Sequence, residues 1–249
     1  MKKNNRRRIT YLSVGTVKSQ NSINASSNID TSDNVLMPRK SPQIAYDENN
    51  FNNSELKDKI ICLGEYSDKE KYFYITSIRP LNSSNQYTVK STELNWIVNY
   101  CTILDNTNYC VALSHKENTK SGTIISRISF VKYSLECFIS QETIPEELIY
   151  CCYNPKNTIE IVVCGKGYLR LWNVFINEGS LKEHQQRFLK GKQEKEHTFI
   201  KAQFFSKKPF LLIVGTLENM FYIIDSFQVI HELNSFYSNE NIYDLNVQN

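Results

Sequence analysis

The sequence predicts an all-β fold built from repeated four-stranded units, and three observations carry that reading. The first is the stretch from Leu148 to Val174, LIYCCYNPKNTIEIVVCGKGYLRLWNV. Apolar residues fill Leu148 to Cys152, and Asn154-Pro155-Lys156-Asn157 supplies turn chemistry. The β-branched run Ile161-Val162-Val163-Cys164 then ends at Gly165 and Gly167. A third strand follows from Tyr168 and passes through Trp172. The second observation is a period: Gly165 and Gly215 lie 50 residues apart, while Gly167 and Asn219, Trp172 and Ile224, and Tyr100 and Cys152 each lie 52 apart. The third is composition, 15 Tyr and 13 Phe against 8 Gly and 6 Pro, which favours packed strand faces over a disordered or fibrous chain. A sandwich also has short strands, but it needs no self-similar four-strand unit; a β-propeller does.

Residues 1–55 differ in texture from the rest. Lys2, Lys3, Arg6, Arg7 and Arg8 form a basic cluster with no acidic residue before Asp30, and an Asn/Ser/Thr-rich stretch with Pro38 and Pro42 follows. Its apolar residues are too scattered to offset the entropy of ordering, so 1–55 is expected to be a disordered basic tail and 56–249 a set of propeller blades. No apolar core follows the basic cluster, which rules out the pattern of a secretory signal; a transit or nuclear signal would fit the charges.

The blades are expected in order. Lys59 to Glu65, Lys71 to Ile78 and Gln86 to Thr92 read as three strands of a first unit. Trp96 to Leu104, Tyr109 to Ser114, Thr123 to Val131 and Leu135 to Gln141 read as a complete second. The third occupies Leu148 to about Arg187, its outer strand within 180–188. KGKQEKE, residues 190–196, reads as a solvated charged loop. Thr198 to Phe205, Leu211 to Gly215, Met220 to Asp225 and Gln228 to Leu233 form a fourth unit, and Ile242 to Val247 reads as the first strand of another. Seven blades would need about 300 residues, so the expectation is about four blades. They would form either a small ring, with the last strand completing the first unit, or an open arc, which is favoured.

No stretch carries recognisable reaction chemistry. The formal charge of +3 calls for neither a nucleic-acid nor an anionic-membrane partner, and no apolar run approaches the ~18 residues of a membrane span. Cys62, Cys101, Cys110, Cys137, Cys151, Cys152 and Cys164 show no CxxC pair and no adjacent histidine at ligand spacing, so they read as packed, reduced thiols. His115, His184, His197 and His231 are dispersed without a nucleophile or metal motif. Gly165-Lys166-Gly167 lacks the long loop and following helix of a phosphate cradle and reads as a tight turn. Trp96, Trp172, Phe199, Phe204, Phe205 and Phe210 read as core. No catalytic, cofactor-binding or metal residue is assigned, and no small-molecule substrate is implied.

At Cys152-Tyr153-Asn154-Pro155, Val163-Cys164-Gly165-Lys166-Gly167 and Leu169-Arg170-Leu171-Trp172-Asn173 the chain resembles WD-repeat proteins, most of all the cilia- and flagella-associated WD-repeat family of the axoneme. The segment from Phe210 to Asp225 is similar to a following blade of that family. The resemblance is good over 148–235, faint over 56–147 and absent before. Asn173 stands where the WD dipeptide has Asp, and no Gly-His dipeptide occurs, so the family's usual His-Asp-Trp hydrogen-bond set cannot be assigned from the sequence. The resemblance implies a non-enzymatic scaffold in the cilium or flagellum. Its partners would be axonemal complexes and dynein-associated or microtubule-associated proteins, and a WD-repeat adaptor of another cytoplasmic or nuclear complex is the alternative.

Overall fold

Alternating β-branched and aromatic runs separated by Asn, Gly and Ser turns do form short antiparallel strands. The computed structural model describes residues 7–16, 59–79, 82–104, 107–118, 121–189, 192–205 and 210–234, and these hold four four-stranded antiparallel sheets. The first contains β1 (Arg7–Thr16), β2 (Lys59–Ser67), β3 (Phe73–Arg79) and β4 (Asn82–Lys90). The second contains β5 (Ile97–Ile103), β6 (Tyr109–Glu117), β7 (Ile124–Lys132) and β8 (Cys137–Ile144). The third contains β9 (Leu148–Asn154), β10 (Asn157–Gly165), β11 (Tyr168–Phe175) and β12 (Ser180–Glu183), and the fourth β13 (Phe199–Phe204), β14 (Leu211–Thr216), β15 (Met220–Asp225) and β16 (Gln228–Asn234). Each sheet is a simple meander whose strands pair in chain order, the architecture of a propeller blade.

The first strands of the sheets stand side by side, β1 against β5, β5 against β9 and β9 against β13. Among the described residues no strand of the fourth sheet packs against the first sheet as these inner strands pack on one another, so the four described sheets follow one another in an arc. Three apolar layers lie between successive sheets. Phe73 and Ile75 meet Val98 and Cys101; Leu113 and Phe130 meet Val163 and Trp172; Val162 and Leu171 meet Phe199 and Tyr222. Both faces of a middle blade are therefore buried, which is why Ile161 to Cys164 of β10 form an unbroken apolar run rather than an alternating one.

Several expectations change. Residues 7–16 are not tail: β1 pairs along its length with β2, from Arg7 opposite Ser67 to Thr16 opposite Lys59. The first sheet takes its fourth strand from the N-terminal part of the chain; Ile242 to Val247, expected as a strand able to complete this unit, lies outside the described residues. The β-forming sequence of β1 is masked by the basic residues that open it. The long connection to β2 is tolerated because loop-closure entropy rises only logarithmically with length. Within the charged run, Lys192–Lys195 forms a single helical turn, α1, and Glu194 is buried. Phe210, expected in the core, is exposed, while Phe199 and Phe204 are buried.

The turns follow the expected chemistry. Gly167 (φ 63°) and Asn219 (φ 61°) occupy equivalent positions in the β10–β11 and β14–β15 turns. Both are left-handed, a conformation that Gly adopts freely and Asn tolerates. Gly165 has another reason to be Gly: a Cβ there would strike the Glu147 carbonyl, so β10 and the entry to β9 could not approach as they do.

Candidate functional site

A strand at the edge of a sheet is hydrogen-bonded on one side only, and β5, β9 and β13 each occupy that position. Where these three inner strands come together they line a cavity of about 400 Å³. Tyr100 and Thr102 come from β5, Tyr150 to Tyr153 from β9, Pro155 from the turn after it, and Lys201, Gln203 and Phe204 from β13. Tyr100 and Thr102 share one side of their strand by the two-residue period, as do Lys201 and Gln203.

The wall is braced from within. The Tyr100 and Tyr150 rings lie 4.5 Å apart at a 57° tilt, and Lys201 Nζ stands 4.9 Å from the centre of the Tyr150 ring. That geometry is a cation–π contact that holds the ammonium against the aromatic surface. The Asn154 side chain accepts the Lys156 N–H at 3.0 Å and donates to Glu160 at 2.8 Å, setting the turn that carries Pro155. Burial raises the Tyr150 phenol well above its ordinary range. Burial also pushes the Cys152 thiol up to about 12, although the charge of Lys201 works the other way. Both groups therefore stay protonated at neutral pH, as donors rather than nucleophiles. Chemically the wall offers aromatic surface, hydroxyls and one cation, which suits binding.

Polar clamps fix three of the blades. In the fourth sheet, His197 Nε2 lies 2.8 Å from the Tyr222 hydroxyl and its Nδ1 lies 3.4 Å from Glu218, while Thr198 N–H donates to both Glu218 oxygens at 3.0 and 3.1 Å. Gly167 N–H donates to the His197 carbonyl at 2.8 Å, so the same residue ties the fourth sheet to the turn of the third. His197, Glu218, Tyr222 and the Thr198 N–H thus form one polar cluster in the fourth sheet, one blade later than Trp172. In the third sheet, Trp172 Nε1 donates to the Tyr168 hydroxyl at 3.1 Å, which bonds Glu183 at 3.3 Å. Arg170, buried on β11, pairs with Glu183 at 3.1 Å and with buried Glu194, whose carboxylate also accepts the Leu169 N–H. In the second, Arg127 Nη2 reaches both oxygens of Glu93 at 3.0 Å and its guanidinium lies 4.1 Å over the Trp96 ring.

The residues weighed from the sequence are thus placed. Trp96 and Trp172 are buried between blades, and Gly165 and Gly167 flank the tight β10–β11 turn. Among the histidines His197 is drawn into a clamp, and His184 stacks 4.9 Å from Phe227. The seven cysteines are free thiols, five of them buried. The sequence reading missed the cavity, although one of its own signals pointed there: Tyr100 and Cys152, 52 residues apart, are both cavity-lining residues on inner strands.

No family model matches the chain, and no curated protein does. Solved structures do. A functionally unknown protein from Desulfotomaculum acetoxidans DSM 771 aligns at a TM-score of 0.48 and 13% identity over 71% of this chain and 53% of that one. The Cps50 (Swd1) β-propeller domain of Myceliophteria thermophila aligns at 0.47 and 10% over 70% and 51%. The WD40 β-propeller domain of Doa1 aligns at 0.40 and 14% over 67% and 60%. The chain spans about half of the first two structures and three-fifths of the third.

Proposed function

We propose that the chain is a non-enzymatic WD-repeat scaffold that binds partner proteins along the inner-strand wall of its arc. The observation that carries the reading is the cavity formed by β5, β9 and β13, an aromatic surface whose Tyr150 and Cys152 are held protonated by burial. Such a surface offers area and hydrogen-bond donors without an activated nucleophile. The sequence resemblance to the cilia- and flagella-associated WD-repeat family supports the finer assignment to the axoneme, as a structural component for motility or assembly. There the partners would be dynein-associated or microtubule-associated proteins.

Two measurements test this. A tagged copy in a ciliated cell is expected along the axoneme, and exclusive staining elsewhere would refute the ciliary assignment. Quantitative crosslinking of the wild type against Tyr153→Arg, which places a bulky charge on the wall, is expected to show a defined set of partners lost from the variant. An unchanged partner set would refute the wall as the binding surface.

A further inference from the structure

The geometry points to a redox modification site between the first two blades: Cys62 of β2 and Cys101 of β5 form a disulfide when the chain meets hydrogen peroxide, bolting the first sheet to the second.

Strand register is the first argument. Cys101 stands between Tyr100 and Thr102, and the two-residue period turns it away from the cavity they line and into the apolar layer between the first and second sheets. Cys110 on β6 shares that face, two residues from Ala112, which lies directly opposite Cys101. Cys62 enters the same layer from the first sheet, and all three thiols are fully buried and reduced. The Cys101 Sγ lies 3.8 Å from the Cys62 carbonyl oxygen. The backbone of β2 packs on β5 rather than on β6, which makes Cys101 and not Cys110 the bonding partner.

Chemistry is the second. Hydrogen bonds from the Cys101 and Cys110 thiols hold the Cys62 thiol well below its ordinary value, against the effect of burial. Burial and the bond to Cys62 push Cys101 up. Cys62 is therefore the nucleophile and Cys101 the resolving thiol. The Cys62 thiolate attacks one peroxide oxygen, the O–O bond breaks, and the departing hydroxide takes up the proton that Cys62 released. The Cys101 sulfur then attacks the resulting sulfenic acid, the S–O bond breaks, and the hydroxyl leaves as water with the Cys101 proton. Two thiols and one peroxide give one disulfide and two waters, sulfur being oxidised and peroxide oxygen reduced. Ser77, the direct cross-strand partner of Cys62 on β3, has a buried hydroxyl with no hydrogen-bond partner. Cross-strand partners share a face, so this donor stands beside the reacting sulfur, ready for the oxygen of the sulfenic acid. Hydrogen peroxide is little larger than water, and local opening of the one layer where the first sheet packs on the second admits it.

The test treats the native full chain with hydrogen peroxide, blocks the remaining thiols with N-ethylmaleimide in denaturant, and reads the product by intact mass and by peptide mapping without reductant. The expected product has lost the mass of two hydrogens, takes up two fewer maleimides and yields one cross-linked peptide joining Cys62 to Cys101; dithiothreitol restores the starting mass. The two residues are 39 positions apart, so the bond restricts the unfolded chain and raises the urea midpoint of the oxidised protein above that of the reduced one. Cys62→Ala and Cys101→Ala each lose the cross-link and the rise in midpoint, while Cys137→Ala keeps both; thermal melting of the reduced variants confirms that each is folded. No disulfide in the native wild type, a disulfide that forms only in denaturant, a bond between any other two cysteines, or an oxidised chain no more stable than the reduced one overturns the proposal.

Discussion

The Tyr222 hydroxyl lies 2.8 Å from Nε2 of His197, joining the third strand of the fourth sheet to the loop that enters that sheet. Tyr222 is almost fully buried, so its hydroxyl has exchanged water for the imidazole. Tyr222→Phe is expected to cost about 1 kcal/mol, the net worth of one hydrogen bond. His197→Ala should cost about 1–3 kcal/mol, because it leaves a buried hydroxyl without that partner. Urea denaturation of both variants checks the order, and an equal or reversed ranking would count against the clamp.

Glu218 sets a pH dependence in the same clamp. Burial works to raise its carboxyl, but the Thr198 backbone N–H, the Glu218 backbone and the His197 and Thr216 side chains favour the carboxylate and leave it below its ordinary value of 4.5. A depressed folded value contributes stability that is present above the unfolded value and is lost as pH falls through the folded one. Glu218→Gln is therefore expected to be less stable than the wild type at neutral pH, with the gap narrowing as pH falls from about 5. Parallel stability curves for the two proteins over that range would contradict it.

Arg170 is buried with Glu194, and breaking a buried pair leaves one charge uncompensated. Arg170→Met is expected to destabilise the chain by roughly 3–5 kcal/mol. The double variant Arg170→Met/Glu194→Leu should recover part of that loss, since apolar replacement of both partners removes the stranded charge. A double variant as unstable as the sum of the singles would show that the pair is not coupled.

Trp172 fills the layer between the second and third sheets, and Trp172→Ala is expected to cost roughly 3–5 kcal/mol through lost contacts and the cavity left behind. A change below about 1 kcal/mol in the denaturation midpoint analysis would mark the side chain as a surface residue instead.

Deleting residues 1–16 removes β1, uncovers the free edge of β2 and strips β5 of its neighbour. The shortened chain should unfold at lower urea and self-associate through the exposed edge. Sedimentation and denaturation indistinguishable from the full chain would mean that β1 adds nothing to the first blade.

Local features of this chain were legible because they depend on short-range rules. The run from Ile161 to Cys164 reads as a buried strand from its β-branched residues, and Trp172 reads as core from its place on the next strand. Gly167 and Asn219 mark equivalent turns because few other residues accept a left-handed backbone. What the tertiary structure alone decided depends on partners far away in sequence. Arg7–Thr16 becomes a strand only because β2, after 42 intervening residues, offers its edge and β5 packs against it. Glu194 is buried in a stretch with every mark of a solvated loop because Arg170, on β11, is there to neutralise it. His197 looks like an isolated polar residue until Tyr222 and Glu218 converge on its two nitrogens. The cavity follows the same logic: Tyr100, Tyr150 and Lys201 lie on three different strands, and only the side-by-side packing of inner strands makes them one surface. Strand period and turn chemistry are written into neighbouring residues, whereas burial and charge pairing are properties of the assembled arc.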